Sequence, residues 1–503
     1  MAFLYLYKVE ILVNKAEYEA QKAENVSLKF RLAQLEKMIF GRKSEKYKHL
    51  VDPQQLSLLA AEDLPVAQTA EVIETIVKKK IKKPRPNHGG RNKLPTNLPV
   101  EIITIEPQQD TTGLKHIGDE VTETLDYTPG VLKIRQVVRP KYLKETTSRI
   151  TKKPKQQIIL AELPGRPIPK GIPEAGLLAY IFICKFIDHL PFYRLIQRFK
   201  RDYGWDPSRT TISGWFKSCC QLLQPLYNLL KQKILDTDYL MVDETRYKVQ
   251  EDGKAGKCFE GWFWLYEDPQ SKLVIYDYRH DRSSDNPLDM LANFNGHIQV
   301  DGHSSYPVVE RKLPISLLAC WAHSRRKFVE AYEYDKNGVD EVLQLINSLY
   351  KIERDLREEK ADHARRLDIR QQKSKPILTQ IGSWMKDNAG KYPPTSPVGK
   401  AIKYSANRWK ELQVYITDGK FEIDNNLVEN SVRPVALGRK NYLFAGSHEA
   451  AQNAAMMYSF FTSCRRNDVN PFEWLKDVLE RIPDQSMKRL DELLTGRWKK
   501  GGV

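Results

Sequence analysis

Carboxylates and amides are concentrated in one short stretch of the sequence, DNNLVEN at residues 424–430. The segment SVRPVALGRKNYLFAG follows it directly and is basic and partly apolar. One interpretation is an ordinary helix start, in which an acid or amide caps the first turn beside a solvated basic face. The other is a carboxylate that binds a metal ion beside a surface that holds phosphates.

Two aspartates elsewhere follow apolar runs that are typical of strands: Asp243 comes after YLMV and Asp301 after HIQV. An acid at the end of a strand is often only a turn former or a helix cap. Together with Glu429, the two aspartates predict a site made of three carboxylates. If their strands are neighbours in one mixed sheet and the helix of Glu429 packs against it, the three carboxylates converge. Such a cluster repels itself unless cations lie among its members.

Oxygen ligands of this kind suit Mg²⁺ or Mn²⁺ rather than zinc. Two such ions about 3.5–4 Å apart activate an attacking oxygen and stabilise a leaving oxygen at phosphorus. We therefore predict two bound ions and phosphoryl-transfer chemistry. The helix that carries Glu429 is expected to be short, capped by Asp424 or Asn425 and limited by Pro434.

Basic and polar side chains surround these acids in the sequence. For His323, in CWAHSRRKF, the alternatives are phosphate contact, proton transfer and helix capping. Asn426 and Asn430 either orient Glu429 and contact nucleic acid or serve as caps and turn formers. For the cations the alternative is a solvated face. The predicted DNA-binding or phosphate-positioning residues here are Arg433, Arg439, Lys440, His323, Arg325, Arg326, Asn426 and Asn430.

The elements that must position the acids alternate between strands and helices over residues 238–321. Aromatic and β-branched runs (DYLMVDET, CFEGWFWLYED, KLVIYDYR, GHIQVDGHSSY and ISLLACWAH) predict strands, and NPLDMLANF predicts a short helix. The resulting order is β-β-β-α-β-α-β. Residues 323–420 have the charge pattern of exposed helices, with a break at KYPPTSPVG, and NPFEWLKDVLERI predicts a final amphipathic helix. The fold class is α/β with several domains.

The preceding part of the chain predicts four further regions. Residues 1–47 have a coiled-coil-like seam that favours self-association, although a lone amphipathic helix is the alternative. Residues 48–96 form a linker in which Lys78, Lys79 and Lys80 belong to a basic run that can contact phosphates or be merely solvated. Residues 97–165 alternate like a small β-rich module.

Residues 173–235 are typical of a helix-turn-helix region. Tyr203-Gly204 marks the break, Ser208 is a candidate cap, and Trp215 and Phe216 lie behind the polar face of the second helix. The residues of that face predicted to contact DNA are Arg209, Thr210 and Thr211.

The composition narrows the class of protein. A chain of 503 residues with a formal net charge of +16 is expected to hold several domains and to favour a polyanionic partner. None of its six cysteines forms a C-x-x-C pair, and no apolar run approaches the length of a membrane span, about 18 residues. These features predict a cytoplasmic, nucleoid-associated protein and exclude a disulfide scaffold.

Motifs in order along the chain carry a family resemblance: LAQLEKMIFGRKSEK, DHLPFYRLIQRF, VDET, VDGHSSY, CWAHSRRKF, the long block around DNNLVENSVRPVALGRKNYLFAGS, and NPFEWLKDVL. With these motifs the chain resembles the bacterial transposases of the insertion-sequence sixty-six type, which are DDE enzymes with an RNase H-like catalytic core. The resemblance implies that Asp243, Asp301 and Glu429 are the DDE triad. It also implies a core over 238–322 and 421–465, a helical insertion over 323–420, and a C-terminal helix and tail over 466–503.

The implied activity is metal-dependent cleavage at the ends of a transposon, followed by attack of the freed 3′-hydroxyl on target DNA. The implied partners are the terminal inverted repeats, target DNA, further copies of the chain, and two small accessory proteins of the same element. One feature departs from the family: its members commonly carry a cysteine zinc-binding module, but residues 97–165 contain no cysteine. His88 and His116 cannot complete a four-ligand site alone, so Zn²⁺ is not expected.

Two rival functions stay open at the level of sequence. A decayed transposase could act as a DNA-binding repressor without catalysis, although all three acids are present. An RNase H-like nuclease could act on RNA hybrids or branched DNA, although the flanking DNA-binding regions favour a transposase.

Overall fold

A computed structural model describes residues 130–135, 141–147, 154–160, 165–169, 171–250 and 257–501. The chain divides into two compact units, 1–123 and 124–503, and the described residues all belong to the second. The predicted coiled coil over 1–47 and the basic linker with Lys78, Lys79 and Lys80 therefore lie outside the described residues. The residues of 97–165 that the structure describes include an antiparallel hairpin, β1 (Lys141–Thr147) with β2 (Pro154–Leu160).

In the part of the chain that the structure describes, three helices precede the main sheet: α1 (Ala175–Phe186), α2 (Phe192–Tyr203) and α3 (Arg209–Leu235). The predicted break is confirmed, since Gly204 ends α2 with a φ of 66°, a conformation that glycine adopts without strain. The predicted cap is confirmed as well, since the Ser208 hydroxyl accepts a hydrogen bond of 3.0 Å from the backbone N–H of Thr211.

The central sheet has five strands, β3 (Tyr239–Gln250), β4 (Cys258–Asp268), β5 (Leu273–Arg279), β6 (Gly296–Val300) and β7 (Ile315–Ala319). Their spatial order is β5-β4-β3-β6-β7; the first three strands are antiparallel, and β6 and β7 run parallel to β3. Helices α4 (Asp285–Met290) and α5 (Tyr306–Lys312) provide the crossovers. The predicted order β-β-β-α-β-α-β and the α/β class are confirmed.

Helices occupy most of residues 321–413, where the charge pattern predicted helices, and this segment between β7 and the last helices is called the insertion below: α6 (Trp321–Tyr332), α7 (Lys336–Glu358), α8 (His363–Ile369), α9 (Lys375–Ala389), α10 (Pro397–Ala406) and α11 (Trp409–Gln413). A π-helical turn over Arg370–Ser374 joins α8 to α9. The predicted break at KYPPTSPVG is the connection between α9 and α10.

The chain then returns to the sheet in α12 (Asn426–Tyr442), α13 (His448–Arg466) and α14 (Pro471–Arg481). Serines of α13 satisfy the edge of β5, because Ser463 and Ser459 accept hydrogen bonds from the backbone N–H groups of Val274 and Tyr276 at 2.9 and 2.8 Å. Across the described residues, we find no helix with the length and apolar character that crossing a membrane requires.

The prediction of a short helix limited by Pro434 is wrong. The helix α12 continues through Pro434 for 17 residues in all. A proline inside a helix removes one hydrogen bond and costs about 3 kcal/mol, which packing must offset. The buried face Val428, Ser431, Pro434, Val435 and Gly438 lies against the sheet and supplies that packing.

Candidate active site

Asp243 and Asp301 lie side by side because β3 and β6 are parallel and in register. Met241 pairs with Gln299, and each aspartate follows its strand's member of that pair by two residues. Asp301 is the first residue after β6, and the equal spacing brings it to the same part of the sheet as Asp243, which agrees with the effect of its charge on the pKa of Asp243. The predicted neighbouring strands are therefore confirmed.

The prediction that Asp243 lies at the end of its strand is wrong. Strand β3 runs on to Gln250, paired with β4, so Asp243 lies in its interior. Only the parallel pairing to β6 stops here, because β6 ends at Val300. The carboxylate thus stands where one side of β3 loses its neighbouring strand.

The surroundings of Asp243 disfavour its charge. Burial raises its pKa well above the usual range, and the negative charges of Glu244, Asp301 and Glu429 raise it further. The backbone N–H of Glu244 donates to Asp243 Oδ1 at 2.8 Å and acts in the opposite direction. The structure thus brings the three predicted acids close enough for their charges to interact.

Two fixed contacts hold the loop of Asp301. The backbone N–H of His303 donates to Asp301 Oδ1 at 2.9 Å, and the Tyr404 hydroxyl donates to the backbone carbonyl of Asp301 at the same distance. Tyr404 belongs to α10, so the insertion contacts this loop directly.

The start of α12 is anchored by Asn425 rather than capped by it. Its side-chain Nδ2 donates to the Val242 carbonyl at 3.0 Å, and its backbone N–H donates to Cys320 Sγ at 3.2 Å. Asp424 instead accepts from the backbone N–H of Asn426 at 3.1 Å, as an acid at a helix start can. These contacts join the helix of Glu429 to the residue that precedes Asp243.

Phe421, Glu422 and Ile423, which lead into this helix, are held from both sides. On the sheet side, Gln299 Nε2 donates to the Glu422 carbonyl at 2.9 Å, and the Glu422 N–H donates to the Tyr239 hydroxyl at 3.1 Å. On the insertion side, the Phe421 carbonyl accepts from Arg370 at 2.8 Å. The position of Glu429 therefore depends on both the sheet and the insertion.

Arg370 is fully buried and paired with the fully buried Glu353. Its Nε and Nη2 donate to the two carboxylate oxygens at 2.8 and 2.7 Å, and Nη1 donates to the carbonyls of Tyr415 and Asp418 at 2.9 and 2.7 Å. This bidentate geometry is the strong form of a charged hydrogen bond. It fixes α7 and the π-helical turn to the segment that leads to Glu429.

His323 lies beside Glu429, with Nδ1 3.7 Å from Oε1. Among the described residues, Cys320, His323 and Glu429 are grouped with one ligand atom each inside 4.8 Å of the others. Burial raises the pKa of the Cys320 thiol, and its Sγ already accepts a hydrogen bond from the Asn425 backbone N–H at 3.2 Å. The group therefore indicates a His323–Glu429 contact more than a zinc centre.

Glu244, which sequence reasoning did not select, has a fully buried side chain. It accepts from Arg282 Nε at 2.8 Å and from the Tyr306 hydroxyl at 2.6 Å. The guanidinium of Arg282 lies over the Trp262 ring, 4.9 Å from its centroid. The acidic pair in VDET was a signal for this second carboxylate, but its partners come from other elements.

The predicted DNA-contacting residues are placed on several surfaces. Arg433, Lys440, Asn426 and Asn430 are exposed on α12, while Arg439 is half-buried and donates to Thr245 Oγ1 and the Arg246 carbonyl at 3.0 and 2.7 Å. Arg325 donates to Asn347 at 3.2 Å, and Arg326 is half-buried on the same helix, α6.

On α3, the predicted DNA-contacting residues Arg209 and Thr210 are exposed and Thr211 is half-buried. Trp215 and Phe216 are buried behind them, as predicted.

The carboxylates fit a divalent cation on chemical grounds. Burial first, and then the neighbouring negative charges, raise the pKa of Asp243, and a bound cation would favour the charged carboxylates against both effects. In addition, Oδ1 of the buried Asn425 has no hydrogen-bond partner within the part of the chain that the structure describes. Oxygen donors of this kind match Mg²⁺ or Mn²⁺.

Comparison with known protein families gives three matches along the chain. Residues 170–453 match the model described as the transposase IS66 family. Residues 27–103 match a model described as transposase C of IS166 homeodomain, and residues 459–495 match the IS66 C-terminal element.

Full-length relatives occur in Sinorhizobium fredii. The uncharacterized protein y4hP is 31% identical over 95% of this chain and 90% of its own length. The uncharacterized protein y4jD is 31% identical over 94% of this chain and 95% of its own length. A family model that covers more than half of the chain, together with relatives of matching length, establishes the relationship: the chain belongs to the IS66 family of transposases.

Proposed function

We propose that this chain cuts the ends of its own insertion sequence and joins the freed 3′-hydroxyl to target DNA, with Asp243, Asp301 and Glu429 as the catalytic acids. The observation that carries the proposal is the register of β3 and β6, which sets the two aspartates side by side. Glu429 contributes to the raised pKa of Asp243, which supports Glu429 as the third catalytic acid. Membership of a transposase family supports DNA transposition as the overall role.

The strand order supports an RNase H-like core. Three antiparallel strands are followed by two parallel ones beside the first strand, with the acids on β3, after β6 and on the helix α12. We propose that the core comprises residues 238–322 and 421–465 and is interrupted by the insertion.

DDE transposases generally use divalent metal ions, and we propose two Mg²⁺ or Mn²⁺ ions held by the three carboxylates. Bound there, such ions activate the attacking oxygen and stabilise the leaving oxygen. The chain's own residues set up this site: the His303 N–H orients Asp301, and Asn425 fixes α12 against β3. We assign His323 the role of a positioning residue that holds the Glu429 carboxylate.

The DNA is proposed to lie along α12 and α3. Arg433 and Lys440 are exposed on the helix of Glu429, where they can neutralise phosphates beside the cut. Arg209, Thr210 and Thr211 at the start of α3 are proposed to contact the transposon end, with Lys78, Lys79 and Lys80 as further phosphate contacts. We propose that the chain acts as a homo-oligomer on the nucleoid in the cytoplasm, with the element's two small accessory proteins as further partners.

A cleavage assay tests the proposal. Duplexes that carry the terminal repeats flanking the gene are incubated with the protein and Mg²⁺, and nicking and joining are followed on gels. We expect cleavage by the wild type and by Asp368→Asn, an exposed control, and none by Asp243→Asn, Asp301→Asn or Glu429→Gln.

Three outcomes would contradict the proposal. Equal cleavage by the Asp243→Asn variant would exclude the triad. Binding without cleavage by the wild type would favour a DNA-binding repressor. Cleavage that prefers RNA hybrids or branched DNA and is never followed by joining would favour a nuclease.

A further inference from the structure

The turn that follows α12 has a strained backbone. Leu443 has a φ of 61° and a ψ of −47°, and the Phe444 N–H donates to the Tyr442 carbonyl at 2.6 Å. This is a γ-turn with positive φ at its centre, a rare and strained conformation for a residue with a side chain. Glycine adopts positive φ without this cost, so the leucine side chain is kept here against backbone strain.

The strain is not compensated by burial. The side chain of Leu443 is 62% exposed and that of Phe444 is 41% exposed. Two neighbouring apolar side chains therefore project into solvent at the tip of a turn. Exposed apolar groups that stand together mark contact surfaces more often than isolated ones do.

The turn is nevertheless held firmly. After it, the Ala445 N–H donates to the Lys248 carbonyl at 2.9 Å, and the Gln250 N–H donates to the Ala445 carbonyl at 2.8 Å, so the chain bonds to the edge of β3. Before it, the Tyr442 hydroxyl contacts the Tyr458 hydroxyl of α13. The apolar tip is thus a fixed projection of the core.

The charges around the tip identify the kind of partner. Lys440 on α12 and Lys248 on β3 are exposed, and the half-buried Arg439 joins these two elements through its hydrogen bonds to Thr245 and Arg246. The acid that follows the turn on α13, Glu449, is paired with Lys217 at 2.9 Å. A basic rim around a projecting apolar tip complements a nucleic acid, with phosphates at the rim and bases at the tip.

The distance between Glu429 and the turn follows from the length of helix that separates them. Leu443 follows Glu429 by fourteen residues, nearly all in one helix. At a rise of 1.5 Å per residue, the two are separated by about 21 Å along the helix axis. For DNA that runs along α12, as proposed above, this length corresponds to about six base pairs at 3.4 Å each.

We propose that Leu443 and Phe444 form a wedge that enters the DNA duplex about six base pairs from the phosphate cut at Glu429 and unstacks the base step there. Apolar side chains that enter between bases bend DNA and allow more of the protein to contact it. The inference rests on the proposed function for its substrate, but it concerns residues outside the catalytic triad.

The test follows the stacking of bases in the complex. Duplexes with the terminal repeat carry a fluorescent base analogue, placed in turn at each position around the expected step, and thymines are probed with permanganate. With the wild type we expect increased fluorescence and permanganate reactivity about six base pairs from the cut. The informative variant is Leu443→Gly, because glycine suits the positive φ and removes only the side chain.

We expect Leu443→Gly to lose the unstacking signal, while its thermal unfolding midpoint is unchanged or higher. Phe444→Ala is expected to weaken the signal. The matched control is Leu437→Ala, since Leu437 is 51% exposed on α12 but lies before the turn. This control should retain the full signal.

Several results would overturn the wedge. An unstacking signal that is undiminished in Leu443→Gly would exclude it, as would a wild-type complex that cuts the repeat without any unstacking. Dissociation of an oligomer by Leu443→Gly, with base stacking unaffected, would assign the tip to a contact between copies. By contrast, unstacking that depends on Leu443 in a protein that never cuts DNA would support the wedge and contradict only the proposed catalysis.

Discussion

Asp243 in β3 and Asp301 directly after the neighbouring parallel strand β6 occupy matching positions, each two residues beyond the pair Met241–Gln299. The sheet alone therefore brings two carboxylates together, whatever the rest of the chain does. The third carboxylate, Glu429, arrives on a helix that is joined to the same strand through Asn425 and Val242.

The first prediction concerns the balance between stability and metal binding. Asp243→Asn removes one of the mutually repelling carboxylates, so the metal-free variant is expected to be more stable than the metal-free wild type. Mg²⁺ should raise the thermal unfolding midpoint of the wild type, because a ligand that binds only the folded state stabilises it. It should raise that of the variant much less.

Thermal unfolding with and without Mg²⁺ is the measurement, with Asp368→Asn as the control that keeps the wild-type response. An equal Mg²⁺ shift in the wild type and Asp243→Asn would contradict the assignment of Asp243 to the metal site.

The second prediction separates two neighbouring asparagines. Asn425 is fully buried and donates to the Val242 carbonyl, whereas Asn426 is exposed. Asn425→Ala is expected to cost about 1–3 kcal/mol of unfolding free energy, because it leaves that buried carbonyl without its donor. Asn426→Ala should cost less than about 1 kcal/mol, since its contacts are at the surface.

Urea unfolding of both variants provides the comparison, and the cleavage assay adds a second readout. We expect DNA cutting to fall in Asn425→Ala even under conditions in which the variant is fully folded, because α12 loses its attachment to β3. Full cutting activity in the folded variant would show that this attachment does not position Glu429.

The third prediction concerns the buried pair Glu353–Arg370. Arg370→Met leaves the buried Glu353 carboxylate without its main partner and is expected to cost about 3–5 kcal/mol. The control is Arg365→Met, since Arg365 pairs with Asp368 at the surface and such pairs contribute about 1 kcal/mol or less.

A double variant, Glu353→Gln with Arg370→Met, should recover part of the loss because neither of these two positions then carries a buried charge. Unfolding free energies measured by urea titration test the set. A small and equal effect of Arg370→Met and Arg365→Met would show that the buried pair does not hold the insertion.

The fourth prediction concerns pH. Burial lowers the pKa of Lys185 to about 8, while the Nζ atom lies over the rings of Phe192 and Tyr442 at 4.1 and 4.8 Å from their centroids. Below pH 8 both folded and unfolded chains carry the charge, so its burial cost is fully present. Between about pH 8 and 10.5 the folded state binds fewer protons than the unfolded state, so this group makes stability rise with pH.

Lys185→Met removes this dependence. At pH 7 the variant is expected to be more stable by about 1–2 kcal/mol, since the cation–π contacts offset part of the burial cost. The difference should shrink as pH rises through the window, which urea unfolding at a series of pH values measures. A difference that stays constant with pH would show that Lys185 keeps its proton in the folded protein.

Local sequence patterns were enough to predict much of the sheet. Aromatic and β-branched runs give the five strands and their order with the helices, because each strand of a buried sheet must present apolar side chains on its own. The cap at Ser208 and the stop at Gly204 are also local, since one side chain or one backbone angle determines each.

Features that depend on distant partners were not predictable in the same way. The length of β3 is set by its pairing with β4, so the pattern around Asp243 could not show that the strand continues. The passage of α12 through Pro434 depends on packing against the sheet. The partners of Glu244 come from residues 282 and 306, and no periodicity links them to VDET.

The hydrogen bond from Arg370 to the Phe421 carbonyl has a consequence for chains that are still being synthesised. Asp243 and Asp301 lie in or directly beside a sheet whose strands are complete by Ala319, but Glu429 follows the whole insertion in the sequence, and the segment before its helix is bonded to Arg370 of that insertion. A nascent or truncated chain that ends within residues 320–420 therefore holds two of the three carboxylates. By our assignment such a chain cannot cut the chromosome, and breakage of host DNA waits for a complete protein.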